Sequence, residues 1–170
     1  MSDYWGGIYN PKGINIDKAK KYSYATSEGC SIKNCKEGKN ISREDIFKVD
    51  CDIFVPAACG DVINADTCSS LKAGFIVEGA NNATTPDAER ALFEKGKITL
   101  PDFLANAGGV IGSYAEYKRM DLGEAFSMIE SKIMNNTKKV LQQLGSGLTP
   151  RRVAKEIAEE RLLEAMEKRS

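Results

Sequence analysis

From residue 51 onward, short apolar runs alternate with stretches of mixed polarity that carry helix caps. Cys51–Pro56, Gly74–Val77 and Ile98–Leu100 lack the every-other-residue alternation of a half-exposed strand. That pattern predicts parallel strands covered on both faces. Between them, Asn64 can cap a helix over Ala65–Lys72. Thr85-Pro86 places a capping threonine before a proline at the first helical position, and the helix it opens ends at Gly96. Strands alternating with helices predict parallel β-structure joined by crossovers. A further helix is predicted from near Asn106 through Tyr114–Met120. Leu122, Phe126, Ile129, Ile133, Val140 and Leu144 then recur at steps of three, four and seven, which predicts an amphipathic helix with its stripe buried in its own domain. Gly145-Ser146-Gly147 ends it. Thr149-Pro150 opens a last helix whose stripe is Ala154, Ile157, Ala158, Leu162 and Ala165.

Residues 1–50 read differently. Gly6-Gly7, Asn10-Pro11-Lys12-Gly13 and the stretch 29–40 carry turn residues. A short helix is expected over Asp17–Ala25, and Ser42 with Asp45 resembles a capping box opening another near Arg43–Lys48. The expected organisation is one domain over 1–170. It comprises a loop-rich lead-in (1–50), a strand–helix core (51–120) and C-terminal helices (121–170).

Composition removes several classes of function. The 170 residues hold 24 basic and 24 acidic side chains, a poor basis for nucleic-acid binding, which rests on phosphate neutralisation. No apolar run is long enough to span a membrane, and the first residues have no basic or apolar leader. A cytoplasmic protein is expected. Five cysteines without regular spacing read as reduced thiols rather than a disulfide frame, and no metal site is assigned. Histidine is absent, which removes Ser-His-Asp and Cys-His catalysis. Chemistry here must use Lys, Asp, Glu, Tyr or a cofactor.

Two strand ends carry the candidate chemistry. Val77-Glu78-Gly79-Ala80-Asn81 and Pro101-Asp102-Phe103-Leu104-Ala105-Asn106-Ala107-Gly108-Gly109 each end in small and amide residues. Small residues let a flat ligand lie against backbone, and amides hydrogen-bond it without adding charge. With Val55-Pro56-Ala57-Ala58 and the segment Ser2 to Gly13, they resemble the glutamate dehydrogenase family (glutamate, leucine, phenylalanine and valine dehydrogenases). The resemblance is strongest over 51–117 and weaker over 14–48. It implies an α/β fold: a truncated Rossmann-like parallel sheet with C-terminal helices. It also implies NAD or NADP as cofactor. Asp3 matches the acidic position that accepts from the adenosine ribose hydroxyls. Ala57 and Ala58 match the turn beside the cofactor ribose, and Asn81 matches an amide at the nicotinamide side. Asn106 matches the amide that holds the nicotinamide ribose. Ser113 falls where glutamate-specific members place a serine against the substrate side-chain carboxylate. Where the family usually continues Gly-Pro-Thr-Thr-Pro, this chain has Asn82-Ala83-Thr84-Thr85-Pro86.

No G-x-G-x-x-G occurs in these 170 residues, so no turn of the kind that holds a pyrophosphate is present. The family's substrate domain, with its catalytic lysine and aspartate, has no counterpart either. No catalytic residue is assigned. Cofactor binding is expected to be weakened or lost, and no amino-acid oxidation is expected from this chain alone. In the strand order 3-2-1-4-5-6, Cys51–Pro56 would be strand four, and its neighbour, strand one, is missing. The exposed edge invites pairing, between two copies or with a partner chain supplying the other half. The alternative function is a non-catalytic self-associating or partner-binding module that retains the fold.

Overall fold

The computed structural model describes residues 1–22 and 28–168. The chain divides into two compact units, one of Met1–Cys51 with Asp66–Lys72, the other of Asp52–Ala65 with Ala73–Ser170. The expected lead-in lies in the first, together with a segment that the sequence pattern places in the strand–helix core.

The first unit contains an antiparallel sheet of β1 (Ser2–Asp3), β2 (Gly6–Tyr9) and β3 (Lys39–Ile41), with β2 in the middle. Its small core joins Ile8, Ala19, Ile32 and Cys35, with Ile14 and Tyr22 packed alongside. Helix α1 (Ile16–Ala19) is capped by the Asn15 side chain, which accepts from the Lys18 N–H. It passes into a 3₁₀ turn over Lys20–Tyr22, shorter than the expected Asp17–Ala25 helix, of which residues 23–25 lie outside those described. The Ser42 hydroxyl does accept from the Asp45 N–H at 3.1 Å, opening a 3₁₀ turn over Asp45–Lys48. Helix α2 (Ala65–Cys68) is a single turn and stops short of Lys72.

The second unit is built on a parallel sheet of β4 (Ile53–Phe54), β5 (Phe75–Val77) and β6 (Ile98–Leu100), in that order. Helix α3 (Pro86–Glu94) connects β5 to β6. Its Thr85 cap accepts from the Ala88 N–H, and the chain leaves it through Gly96 at φ +75°. These boundaries match the local signals because caps and left-handed exits are short-range features.

The two sheet faces differ. Ile76 and Thr99 are buried, whereas Ile53, Val55 and Phe75 are 56%, 55% and 44% exposed. Ile53 is paired with Phe75, so the exposed side chains share one face. Strands covered on both faces were expected; β4 and β5 are covered on one. β4 is also the sheet edge: among the described residues no strand pairs on its other side.

After β6 come α4 (Asp102–Ala105) and α5 (Gly108–Tyr117). One helix beginning at Asn106 was expected; Asn106 instead closes α4 as its C-cap, and α5 starts two residues later. Helix α6 (Leu122–Gln142) opens on a capping box in which Asp121 and Glu124 bond each other's backbone N–H. Its stripe departs from the expected burial. Val140 is buried, but Leu122 and Phe126 are 78% and 69% exposed. Periodicity identifies a helical face without supplying the surface that covers it. Helix α7 (Pro150–Glu167) buries Pro150, Val153 and Ala154 in its first turns, while Leu162 and Ala165 of its expected stripe are exposed. A second core joins Leu104, Val140, Val153 and Ala154 with Leu100, Leu148 and Ile157 packed against them.

Candidate functional site

β5 and β6 end side by side, and their carboxyl ends are where ligands bind in open α/β sheets. Beyond β5 the chain turns sharply. The Pro56 carbonyl accepts from both the Gly79 and Ala80 N–H groups, at 3.0 and 2.9 Å. A Cβ on Gly79 would stand 3.0 Å from the Cβ of Ala57, so an alanine here would have to push the Ala57 turn aside by a few tenths of an ångström. Gly79→Ala is expected to lower stability by about 1–3 kcal/mol through overpacking. Adding Ala57→Gly should return most of that loss, as read by urea denaturation.

The following loop is pinned beside the turn after β4. Asp61 N–H donates to the Asn82 carbonyl (2.8 Å), Ile63 N–H to Ala83 (2.9 Å), and Thr85 N–H back to Ile63 (2.9 Å). Asn82 has φ +50°, a left-handed conformation that asparagine tolerates better than most residues.

Asn81 and Asn106 meet. The Asn106 side-chain amide donates to Asn81 Oδ1 at 2.7 Å and to the Gly79 carbonyl at 3.3 Å. Together with Asp102, Phe103, Ala107 and Val110 these residues line an open cleft of about 570 Å³, within the size range of small-molecule sites. Its polar groups are carboxamides, a backbone carbonyl and one carboxylate.

That carboxylate belongs to a buried ionic cluster. Arg151, in the first turn of α7, donates through Nη1 to Asp102 Oδ1 (3.0 Å), through Nε to Glu89 Oε2 (2.7 Å), and through Nη2 to Glu78 Oε2. Fully buried Glu78 also accepts from the Thr84 and Asp102 N–H groups, at 2.8 and 2.9 Å. Asp102 Oδ2 accepts from the Asn82 N–H at 2.8 Å. Burial pushes the Asp102 carboxyl upward, but the backbone N–H groups of Asn82 and Phe103 and the Arg151 guanidinium outweigh it, holding the group below its ordinary range. Burial acts to lower the Arg151 pKa, and the three carboxylates raise it above its usual value.

The other expected site residues are distributed as follows. Ala57, whose Cβ lies beside Gly79, and Ala58 are both exposed on the turn after β4. Ser113 is exposed on α5, three residues beyond Val110, and does not line the cleft. Asp3 belongs to the first unit. Its carboxylate accepts from the Ser31 hydroxyl (2.9 Å), the Ile32 N–H (2.7 Å) and the Trp5 N–H (2.9 Å). Sequence reasoning missed Arg151, Glu89 and the roles of Glu78 and Asp102. A carboxylate closing the apolar run Phe75–Val77 was the available signal, since buried Glu is rarely unpaired. Nothing local pointed to its partner 73 residues away.

The donor set fits the neutral, amide-bearing end of a nicotinamide cofactor and not its diphosphate, since no cation lines the cleft.

Comparisons with known proteins agree with this architecture. The family model for glutamate/leucine/phenylalanine/valine dehydrogenase matches residues 1–170. A glutamate dehydrogenase of Aeropyrum pernix is 41% identical over 180 residues, covering 99% of this chain and 42% of the relative. An NADP-specific glutamate dehydrogenase of Saccharolobus shibatae is 41% identical over 132 residues, 78% of this chain and 30% of the relative. Among solved structures, the hetero-hexameric glutamate dehydrogenase of Thermus thermophilus in its leucine-bound form is similar with a TM-score of 0.75. It is 25% identical and covers 96% of this chain and 39% of that one. The L-tryptophan dehydrogenase of Nostoc punctiforme is similar at a TM-score of 0.69, with 29% identity over 74% of this chain and 38% of that one. The chain thus spans less than half the length of these relatives. It belongs to the glutamate/leucine/phenylalanine/valine dehydrogenase family.

Proposed function

We propose that this chain forms the nicotinamide side of the cofactor cleft of a glutamate dehydrogenase-like oxidoreductase, one that deaminates an amino acid, glutamate foremost, with NAD or NADP. The observation that carries the reading is the Asn81–Asn106 amide pair, set over the Gly79 carbonyl at the carboxyl ends of β5 and β6. When bound, the nicotinamide ring supplies the hydride acceptor. Asn81 and Asn106 orient its carboxamide and ribose, and Ala57 with Gly79 keeps the backbone close enough to be touched. Asp3 as a ribose acceptor, Ala58 as part of the ribose turn and Ser113 as a substrate-carboxylate donor belong to the same proposal. On its own the chain binds cofactor weakly and does not turn over amino acid, because the family's catalytic lysine and aspartate and a phosphate-cradling glycine turn have no counterpart among these residues.

Titration of the full chain with nicotinamide mononucleotide, followed by NMR, tests this. Saturable binding is expected, and Asn106→Ala should weaken it about tenfold, the loss of one or two hydrogen bonds. Failure to bind would overturn the reading. Robust glutamate oxidation by the purified chain would overturn the claim of inactivity.

The exposed Ile53, Val55 and Phe75 and the open edge of β4 support a companion: a second copy or a partner chain that pairs with β4 and covers the apolar face. The same observation favours the second reading, a non-catalytic association module. A tight dimer with no affinity for nicotinamide mononucleotide would select it, whereas a monodisperse monomer at high concentration would count against any companion.

A further inference from the structure

The polar groups of the cleft sit on a loop, residues 79–84, and on a second segment, residues 101–107, that contains α4; neither carries its own cation. Both are fastened through carboxylates to the same guanidinium. Glu78 holds the Thr84 N–H at the far end of the first loop and the Asp102 N–H at the start of the second. Asp102 reaches back to the Asn82 N–H, the residue directly after Asn81. Arg151 bonds both carboxylates, adds Glu89 on α3, and lies 5.7 Å from the ring centroid of Phe103, which lines the cleft. Three nitrogens of one planar fork thus fix β5, α3 and α4 relative to one another. A flexible ammonium could not do this, since its charge is a single point.

We infer that Arg151 is the positioning residue of the nicotinamide end of the cleft, acting through Glu78 and Asp102 to set the Asn81–Asn106 amide pair, so that docking of α7 and occupancy of the cleft are coupled. This rests on the nicotinamide reading above. By linkage, a ligand that needs the amides in register strengthens the hold on α7, and loosening α7 weakens the ligand. Arg151 itself does not line the cleft.

The test compares three forms of the full chain: wild type, Arg151→Lys, and Val140→Ala. The last removes buried volume from the core around Leu104 and Val153 without touching the ionic cluster. Two quantities are read in each: the side-chain amide resonances of Asn81 and Asn106 in free protein, and the affinity for nicotinamide mononucleotide. In Arg151→Lys both amide resonances are expected to move and affinity to fall about tenfold. Val140→Ala should lose stability while leaving resonances and affinity near wild type. Unmoved Asn81 and Asn106 resonances in folded Arg151→Lys, or wild-type affinity in that variant, would overturn the inference. So would an equal loss of affinity in Val140→Ala, which would mark the effect as one of general stability. If no form binds the nucleotide, the nicotinamide reading fails, and the amide resonances still decide whether Arg151 sets the pair.

Discussion

Replacing Arg151 with methionine is expected to lower the unfolding free energy by about 3–5 kcal/mol, the cost of leaving buried carboxylates without their cation. Methionine fills much of the volume of the arginine stem, so the loss comes from charge rather than from a void. Glu78, fully buried, keeps its two backbone donors, but Glu89 loses its hydrogen bond to the Arg151 Nε. Asp102 keeps Asn82 and loses its side-chain partner. Urea denaturation should register a lower midpoint at unchanged slope. An unchanged midpoint would mean that the cluster adds nothing net to stability.

The pH dependence carries a second signature of the same change. Asp102 has a folded pKa below its unfolded value. It therefore contributes stability above the ordinary carboxylate range, about pH 4, and that contribution is lost as pH falls through the folded pKa. Removing Arg151 takes away one cause of the depression. The methionine variant should therefore show a shallower loss of stability on acidification below about pH 4 than wild type.

Glu78→Ala should cost about 4 kcal/mol, for a different reason. Two buried N–H groups, those of Thr84 and Asp102, lose their acceptor together, at about 1–3 kcal/mol each, and a small cavity is added. Arg151 retains Glu89 and Asp102, so its loss is partial. Because Glu78 and Arg151 share a bond, the Glu78→Ala/Arg151→Met pair should cost less than the sum of the single changes, with a coupling of about 0.5–3 kcal/mol. Strict additivity would contradict the geometry. Native-state hydrogen exchange offers a local check: the Thr84 and Asp102 amides should lose protection selectively in Glu78→Ala.

How much of this was legible in the residues follows from how local each feature is. Ile98–Leu100 and the Thr85-Pro86 cap could be read because strand ends, caps and prolines act within a few residues. The parallel pairing followed from the alternation of strands with a helix of suitable length. Burial was less legible. The stripe from Leu122 to Leu144 has helical spacing, but whether a stripe is covered depends on a surface elsewhere, and spacing carries no information about that. A helix running on from Asn106 was expected, whereas Asn106 is the C-cap of α4 and α5 starts at Gly108, at glycines that sterics do not demand. A Cβ on Gly108 would meet only ordinary contact, and one on Gly109 nothing. The Asn81–Asn106 pairing was approached through family resemblance, since the two residues lie 25 apart. The Arg151 cluster, with separations of 49 to 73 residues, left only a solitary acidic residue at a strand end as a trace.

Helix α7 is buried at one end and tied to α6 farther along, where Arg161 Nη2 donates to Asn136 Oδ1 at 3.0 Å. Pro150, Arg151, Val153 and Ala154 are fastened within its first turns, whereas Leu162 and Leu163 are exposed farther along. Its root lies beside the cleft and its last turns outside it. Substitutions toward the tip can drift, or acquire contacts of their own, with little mechanical consequence for the loops beside the root.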